Sequence, residues 1–180
     1  MAEAPHKSGC NGHIRLFLDT EWADNIGSEL VSLALVSDDG AHRFYCEVSP
    51  LPKEPTDFVR YVVYPLLEHG YAARQLPEVT RDLRAFLARF DEPSILFDYH
   101  VDGALLNYAL GGFGLPSEIA DRLGPMPKVT AMLITIDSVS RGIEQYFLEH
   151  PQLARRRHHA GVDVEALRWA YSQALQKGTS

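Results

Sequence analysis

Two carboxylates two positions apart, Asp19 and Glu21, follow the apolar run Ile14 to Leu18. In an extended strand that spacing turns both side chains to one face of the sheet. Like charges held so close repel each other, and burying them without a counter-charge raises a carboxyl pKa or destabilises the fold. A divalent cation removes the conflict. Carboxylate oxygens suit magnesium or manganese better than zinc, and no Cys/His cluster here has the spacing of a zinc site. An isolated Asp-x-Glu is a weak signal that also fits a turn with a solvated glutamate. Its meaning therefore depends on the other acids of the chain.

Three of those acids fall where strands end or helices begin. Asp102 shares a helical stripe with Leu105, Leu106 and Ala109, which places a carboxylate at the edge of a core-facing surface. Such an aspartate needs a partner or caps its own helix. Asp98, at the end of the strand-like Ser94–Phe97, competes with it for the same role. Asp163 opens a stripe continued by Leu167, Ala170, Tyr171 and Ala174, in a first turn where the helix dipole favours acid. His158 precedes it by five residues, just outside the helix, where its imidazole can reach the same end of a sheet. A histidine at that position is also an ordinary surface residue, with His159 as its exposed neighbour.

The elements that must position these groups follow from periodicity. Residues Ile14 to Leu18, Glu29 to Val36 and His42 to Val48 read as three strands, with Asp39-Gly40 a hairpin signal between the second and third. Helices are expected from Thr56 to Glu68, Pro77 to Phe90, Val101 to Leu110, Asp137 or Ser138 to His150, and Gly161 to Gln176. Strands are expected at 94–97 and 129–136. On the second helix, Arg81, Asp82, Arg84 and Arg89 read as a solvated face. The fold class is α/β, a mixed central sheet opening with an antiparallel meander and flanked by helices.

At 180 residues, 46% hydrophobic, the chain suits one domain over 14–176, between a flexible arm at 1–13 and a tail at 177–180. No apolar run is long enough to span a bilayer, and residues 1–10 lack the apolar core of a signal peptide, so a cytoplasmic protein without membrane association is expected. The two cysteines, Cys10 and Cys46, give no disulfide framework, and Cys46 reads as a small buried hydrophobe. A net charge of −7 argues against broad electrostatic capture of nucleic acid. It leaves room for a nuclease whose acidic site is neutralised by metal ions.

In order and spacing, these residues resemble the DEDDh 3′→5′ exonucleases of the ribonuclease H-like superfamily, which include ribonuclease T and oligoribonuclease. The resemblance rests on Asp19-Thr20-Glu21, on His100-Val101-Asp102 with Leu105, and on His158-His159-Ala160-Gly161-Val162-Asp163, which fits His-x-Ala-x-x-Asp. It covers about residues 14–176. Glu29-Leu30-Val31-Ser32 adds a likeness to the small bacterial and phage exoribonucleases. The second motif departs from proofreading members, which carry an upstream Asn and an aromatic before the Asp; here Tyr99 and Val101 stand instead, so Asp98 and Asp102 both remain candidates, with helical phase favouring Asp102.

The resemblance implies that Asp19, Glu21, Asp102 and Asp163 hold two Mg2+ or Mn2+ ions, with Asp19 bridging, and that His158 is the general base. It implies hydrolysis of single-stranded nucleic acid, RNA before DNA, to nucleoside 5′-monophosphates. Many relatives are dimers, so a homodimer is among the expectations. Thr20, Trp22 and Arg157 are candidate substrate contacts, Trp22 by base stacking or else as core, Arg157 by holding phosphate or else as part of a solvated run. Two other readings stand beside this one: an inactive nuclease-like module that binds nucleic acid or protein, and a metal-independent glycosidase using Asp19 and Glu21.

Overall fold

The computed structural model describes residues 14–178, so the 1–13 arm and Cys10 lie outside the described residues. Strands β1 (Arg15–Trp22), β2 (Leu30–Ser37) and β3 (Arg43–Val48) form the expected antiparallel meander, with Leu18 opposite Leu35 and Asp19 opposite Ala34. β4 (Ala73–Arg74) adds two residues parallel to β3. β5 (Ser94–Phe97) lies parallel to β1, and β6 (Thr130–Leu133) parallel to β5, giving the order β4-β3-β2-β1-β5-β6. All four residues of β6 are exposed, and the strand is half as long as its apolar run suggested.

Helices cover both faces of this sheet. α1 (Leu76–Leu87) and α2 (His100–Leu110) pack on one face; α4 (Asp137–Glu149) and α6 (Ala160–Gly178) pack on the other. Two short helices, α3 (Ser117–Ala120) and α5 (Pro151–Ala154), join them. Strand alternation fixes what each layer meets. Leu16, Leu18, Leu33 and Leu35 turn to α1 and α2, while Phe17, Ala34 and Val36 turn to Val164, Leu167 and Ala170 of α6. Each leucine is fully buried, contributing roughly 1.5–3 kcal/mol relative to exposure. By the same alternation Asp19 and Glu21 belong to the α6 face, and Thr20 to the α2 face.

Three expectations change. The Thr56–Glu68 helix is irregular: Val59–Val63 winds as a π-helix and Tyr64–Leu66 as a 3-10 turn, because Pro65 removes a backbone donor and crowds the preceding turn. α6 runs through Gly178, past the expected start of the tail. Arg84 is not on a solvated face. It is 3% exposed, and its guanidinium donates to the carbonyls of Leu110 (2.9 and 2.7 Å), Ala120 (2.8 Å) and Gly124 (2.5 Å). There it satisfies the terminal carbonyl of α2 and meets the negative end of that helix's dipole.

Cys46 is buried and free, its thiol pushed up to about 12 by burial, as suits a small hydrophobe. Among the described residues, no helix is long and apolar enough to cross a membrane.

Candidate metal centre

The centre forms where β5 stops short. β5 pairs with β1 only at Arg15, Leu16 and Phe17, so the edge of β1 beyond them has no strand neighbour. Asp102, reaching in from the first turn of α2, takes its place. Its Oδ1 accepts from the Thr20 N–H at 3.1 Å and from the Thr20 hydroxyl at 2.7 Å. Asp102 is therefore tied to β1, while the N–H of Tyr99, at the N-cap of its own helix, also acts on its carboxylate. A bulge between Glu21 and Trp22 then turns the chain out of the sheet.

From the opposite layer, α6 brings Asp163. Its Oδ2 accepts the backbone N–H of His158 at 2.9 Å, across the turn that leads into the helix. That turn holds His158 at φ +72°, a left-handed conformation unfavourable for a residue with a Cβ. The His158 ring stands edge-on to Phe58, with centroids 4.9 Å apart.

Two groups of potential ligands result among the described residues. Carboxylate oxygens of Asp19, Asp98 and Asp102 lie within 4.8 Å of one another, as do atoms of Glu21, His158 and Asp163. Asp98 and Asp102, which the sequence set in competition, both face Asp19. Helical phase could find Asp102 but could not show that the strand end leaves Asp98 beside it.

The electrostatics are those of a site short of positive charge. Burial, followed by repulsion from Asp102, Asp163, Glu21 and Asp98, drives the Asp19 pKa well above the carboxylate range. Glu21 is pushed up to about 8 by burial and then by Asp163 and Asp102. Asp102 rises to about 7 through burial, against the lowering hydrogen bonds from Thr20. Asp163 rises to about 6 through burial, opposed by the His158 N–H and the charge of Arg157. Burial raises Asp98 as well. Asp19 Oδ2 and Asp163 Oδ1 are buried without a hydrogen-bond partner. His158 moves the other way, lowered by burial and then by Arg157, which keeps its imidazole neutral at neutral pH.

A cleft of about 450 Å³ opens beside Glu21 and His158, bordered by Trp22, Asn25, Thr56 and Phe58. Trp22 packs on the α1/α2 core, stacked nearly parallel on Tyr99 at 5.6 Å, and still borders this cleft. Thr20 is 3% exposed and engaged with Asp102. Arg157 pairs with both carboxylate oxygens of Glu144 on α4 and lies over the Phe147 ring, so it reaches the centre through its charge alone. Phe58 was not singled out in the sequence. It lies on the irregular helical segment, and only the approach of that segment to His158 distinguishes it.

Comparison with protein-family models and with curated proteins finds no match for this chain.

Proposed function

We propose that this protein is a metal-dependent 3′→5′ exonuclease of the ribonuclease H-like type, hydrolysing single-stranded RNA or short oligonucleotides to nucleoside 5′-monophosphates. The observation that carries this reading is the pair of ligand groups on either side of Asp19 and Glu21, with two orphaned carboxylate oxygens among them. Support comes also from the strand order, an antiparallel β3-β2-β1 meander extended by parallel β5 and β6, and from the motif order described above.

The donor set fits hard divalent cations. It consists of carboxylate oxygens, with the His158 imidazole beside them, and the carboxylates carry raised pKa values that a cation would reverse. Asp19, Asp98 and Asp102 would hold one ion and Glu21 and Asp163 a second. Bound there, two Mg2+ or Mn2+ ions supply Lewis-acid activation of water and neutralise charge developing on the phosphate.

The chain's own groups do the rest. His158, neutral and beside the cleft, accepts the proton of the attacking water at an imidazole nitrogen. Asp163 fixes the His158 backbone, and Phe58 limits rotation of its ring. Thr20 holds Asp102 in place.

The test is degradation of 5′-labelled single-stranded RNA and DNA with Mg2+, Mn2+ or EDTA, for wild type, Asp19→Ala and His158→Ala. The expected result is a ladder shortening from the 3′ end, abolished by EDTA and lowered about 10²–10⁴-fold in His158→Ala. Folded wild-type protein that cleaves neither strand with either metal refutes the proposal; retained binding would then make it a nucleic-acid-binding module.

A further inference from the structure

His159 has no role in the reading above, yet it is 3% exposed and is anchored more fully than His158. Its N–H donates to the Arg156 carbonyl at 3.1 Å, and its own carbonyl accepts from Val162 at 2.7 Å and Asp163 at 3.0 Å. Its ring also caps α6: the Gly161 N–H donates to Nδ1 at 3.1 Å. A ring nitrogen that accepts a hydrogen bond carries no proton, so His159 is a neutral imidazole protonated on Nε2. Nε2 lies 3.4 Å from Glu68 Oε1 without a hydrogen bond to it and is buried with no other hydrogen-bond partner.

The Glu68 backbone is itself fixed, while its side chain is half exposed and also lies 3.6 Å from Arg156. The N–H groups of Glu68 and His69 donate to the two oxygens of Glu47, at 2.6 and 2.9 Å, and Glu47 is 1% exposed on β3. The Tyr45 hydroxyl donates to Glu47 at 2.7 Å, while its ring stacks on the His159 imidazole at 4.8 Å. One imidazole therefore ties the start of α6 to β3 through Tyr45 and lies against the 68–69 loop. The seat is fitted to a ring: a Cβ at position 161 would lie 3.0 Å from His159 Cε1, tighter than ordinary contact, and the residue there is glycine.

Both ends of that anchored turn belong to the candidate centre. His158 precedes the ring in a left-handed conformation, and Asp163, whose N–H His159 accepts, returns a carboxylate to the His158 N–H. We propose that His159 is the positioning residue of the centre: its Nε2-protonated imidazole caps α6 through Nδ1, faces Glu68 through Nε2, and so fixes His158 and Asp163 against Asp19 and Glu21. The kinetic consequence rests on the exonuclease reading; the tautomer and the metal-binding consequence do not.

Asparagine offers an amide oxygen near the place of Nδ1, and glutamine an N–H near the place of Nε2, so the cap on α6 and the approach to Glu68 separate by substitution. The experiment takes the full chain as wild type, His159→Ala, His159→Asn and His159→Gln. It measures ring tautomer by long-range 15N–1H NMR, Mn2+ affinity by calorimetry, and kcat and KM on a labelled oligoribonucleotide. The expected results are an Nε2–H tautomer for His159, Mn2+ affinity about tenfold weaker in His159→Ala, and kcat at least about tenfold lower with KM little changed. His159→Asn recovers most of both losses and His159→Gln does not.

A proton on Nδ1, or a folded His159→Ala protein with wild-type Mn2+ affinity, overturns the proposal. So does equal recovery by Asn and Gln, which would make the ring mere filling. If His159→Ala fails to fold, the Asn–Gln comparison decides alone. If wild type cleaves no nucleic acid, the exonuclease reading falls, and tautomer and Mn2+ affinity still decide the role of His159.

Discussion

Without a cation, this protein should become less stable as the pH rises from 6.5 to 8, and a divalent cation should abolish that decline. In the unfolded chain Glu21 is ionised throughout this range, whereas in the folded chain burial beside Asp163 and Asp102 holds its proton up to about 8. The folded state thus binds one more proton than the unfolded state, and stability falls with pH by about 1.4 kcal/mol per unit, or about 2 kcal/mol over the window. Asp19 and, up to about 7, Asp102 act in the same direction. Below 6.5 the slope is mixed, because His158 and His159 have lowered pKa values and lose their contribution as the pH falls toward those values. For a domain of this size 2 kcal/mol corresponds to a drop in Tm of about 4–8 °C. The assay is thermal unfolding followed by circular dichroism at pH 6.5, 7.25 and 8, in EDTA and in excess Mn2+. In EDTA the Tm should fall across the series; with Mn2+ it should be higher at every pH and should not fall. Asp19→Asn should raise the Tm in EDTA and remove most of the response to Mn2+. A Tm in EDTA that is flat or rises with pH would refute the reasoning, because the acids would then not be crowded and unpaired.

Two further outcomes follow from individual side chains. On the hydrolase reading, the acid limb of the kcat/KM profile should have its midpoint below 6.5, and Arg157→Met should move it upward, since burial and the Arg157 charge both hold the His158 pKa down; pre-steady-state rates across pH 5–8 test this. Arg84→Met should cost about 2–4 kcal/mol in urea unfolding, because the carbonyls of Leu110, Ala120 and Gly124 lose a charged donor inside the protein.

The meander was legible because β1, β2 and β3 carry their own patterns: continuous apolar runs, a hairpin signal and Tyr45 alternating with Phe44 and Cys46. Asp19 and Glu21 could be assigned to one face from strand period alone, and Asp102 and Asp163 from helical phase. The environment at the end of β1 could not be read that way. The pairing of Asp102 with Thr20 depends on β5 ending early, and Asp98 enters for the same reason. Arg84 misled because a long cationic side chain on an amphipathic helix usually lies in water, whereas here it finds three carbonyls. Local pattern reads His159 as an exposed neighbour of His158; its ring packs on Tyr45 of β3, two strands away from β1 and invisible to that pattern.

The gap left by the short β5 has a consequence for assembly of the chain. Asp19 belongs to the first strand of the described fold and Asp163 to its final helix, so the ligands meet only when both helical layers have docked on the sheet. A cation held by Glu21, on that same first strand, and by Asp163 would bridge segments separated by most of the domain and stabilise the folded state by mass action, because only that state grips it tightly. Partly folded molecules, with β1 formed and α6 undocked, would carry an incomplete ligand set and grip metal weakly. The centre would thus be completed only by the finished fold, and metal occupancy would report that the chain has reached it.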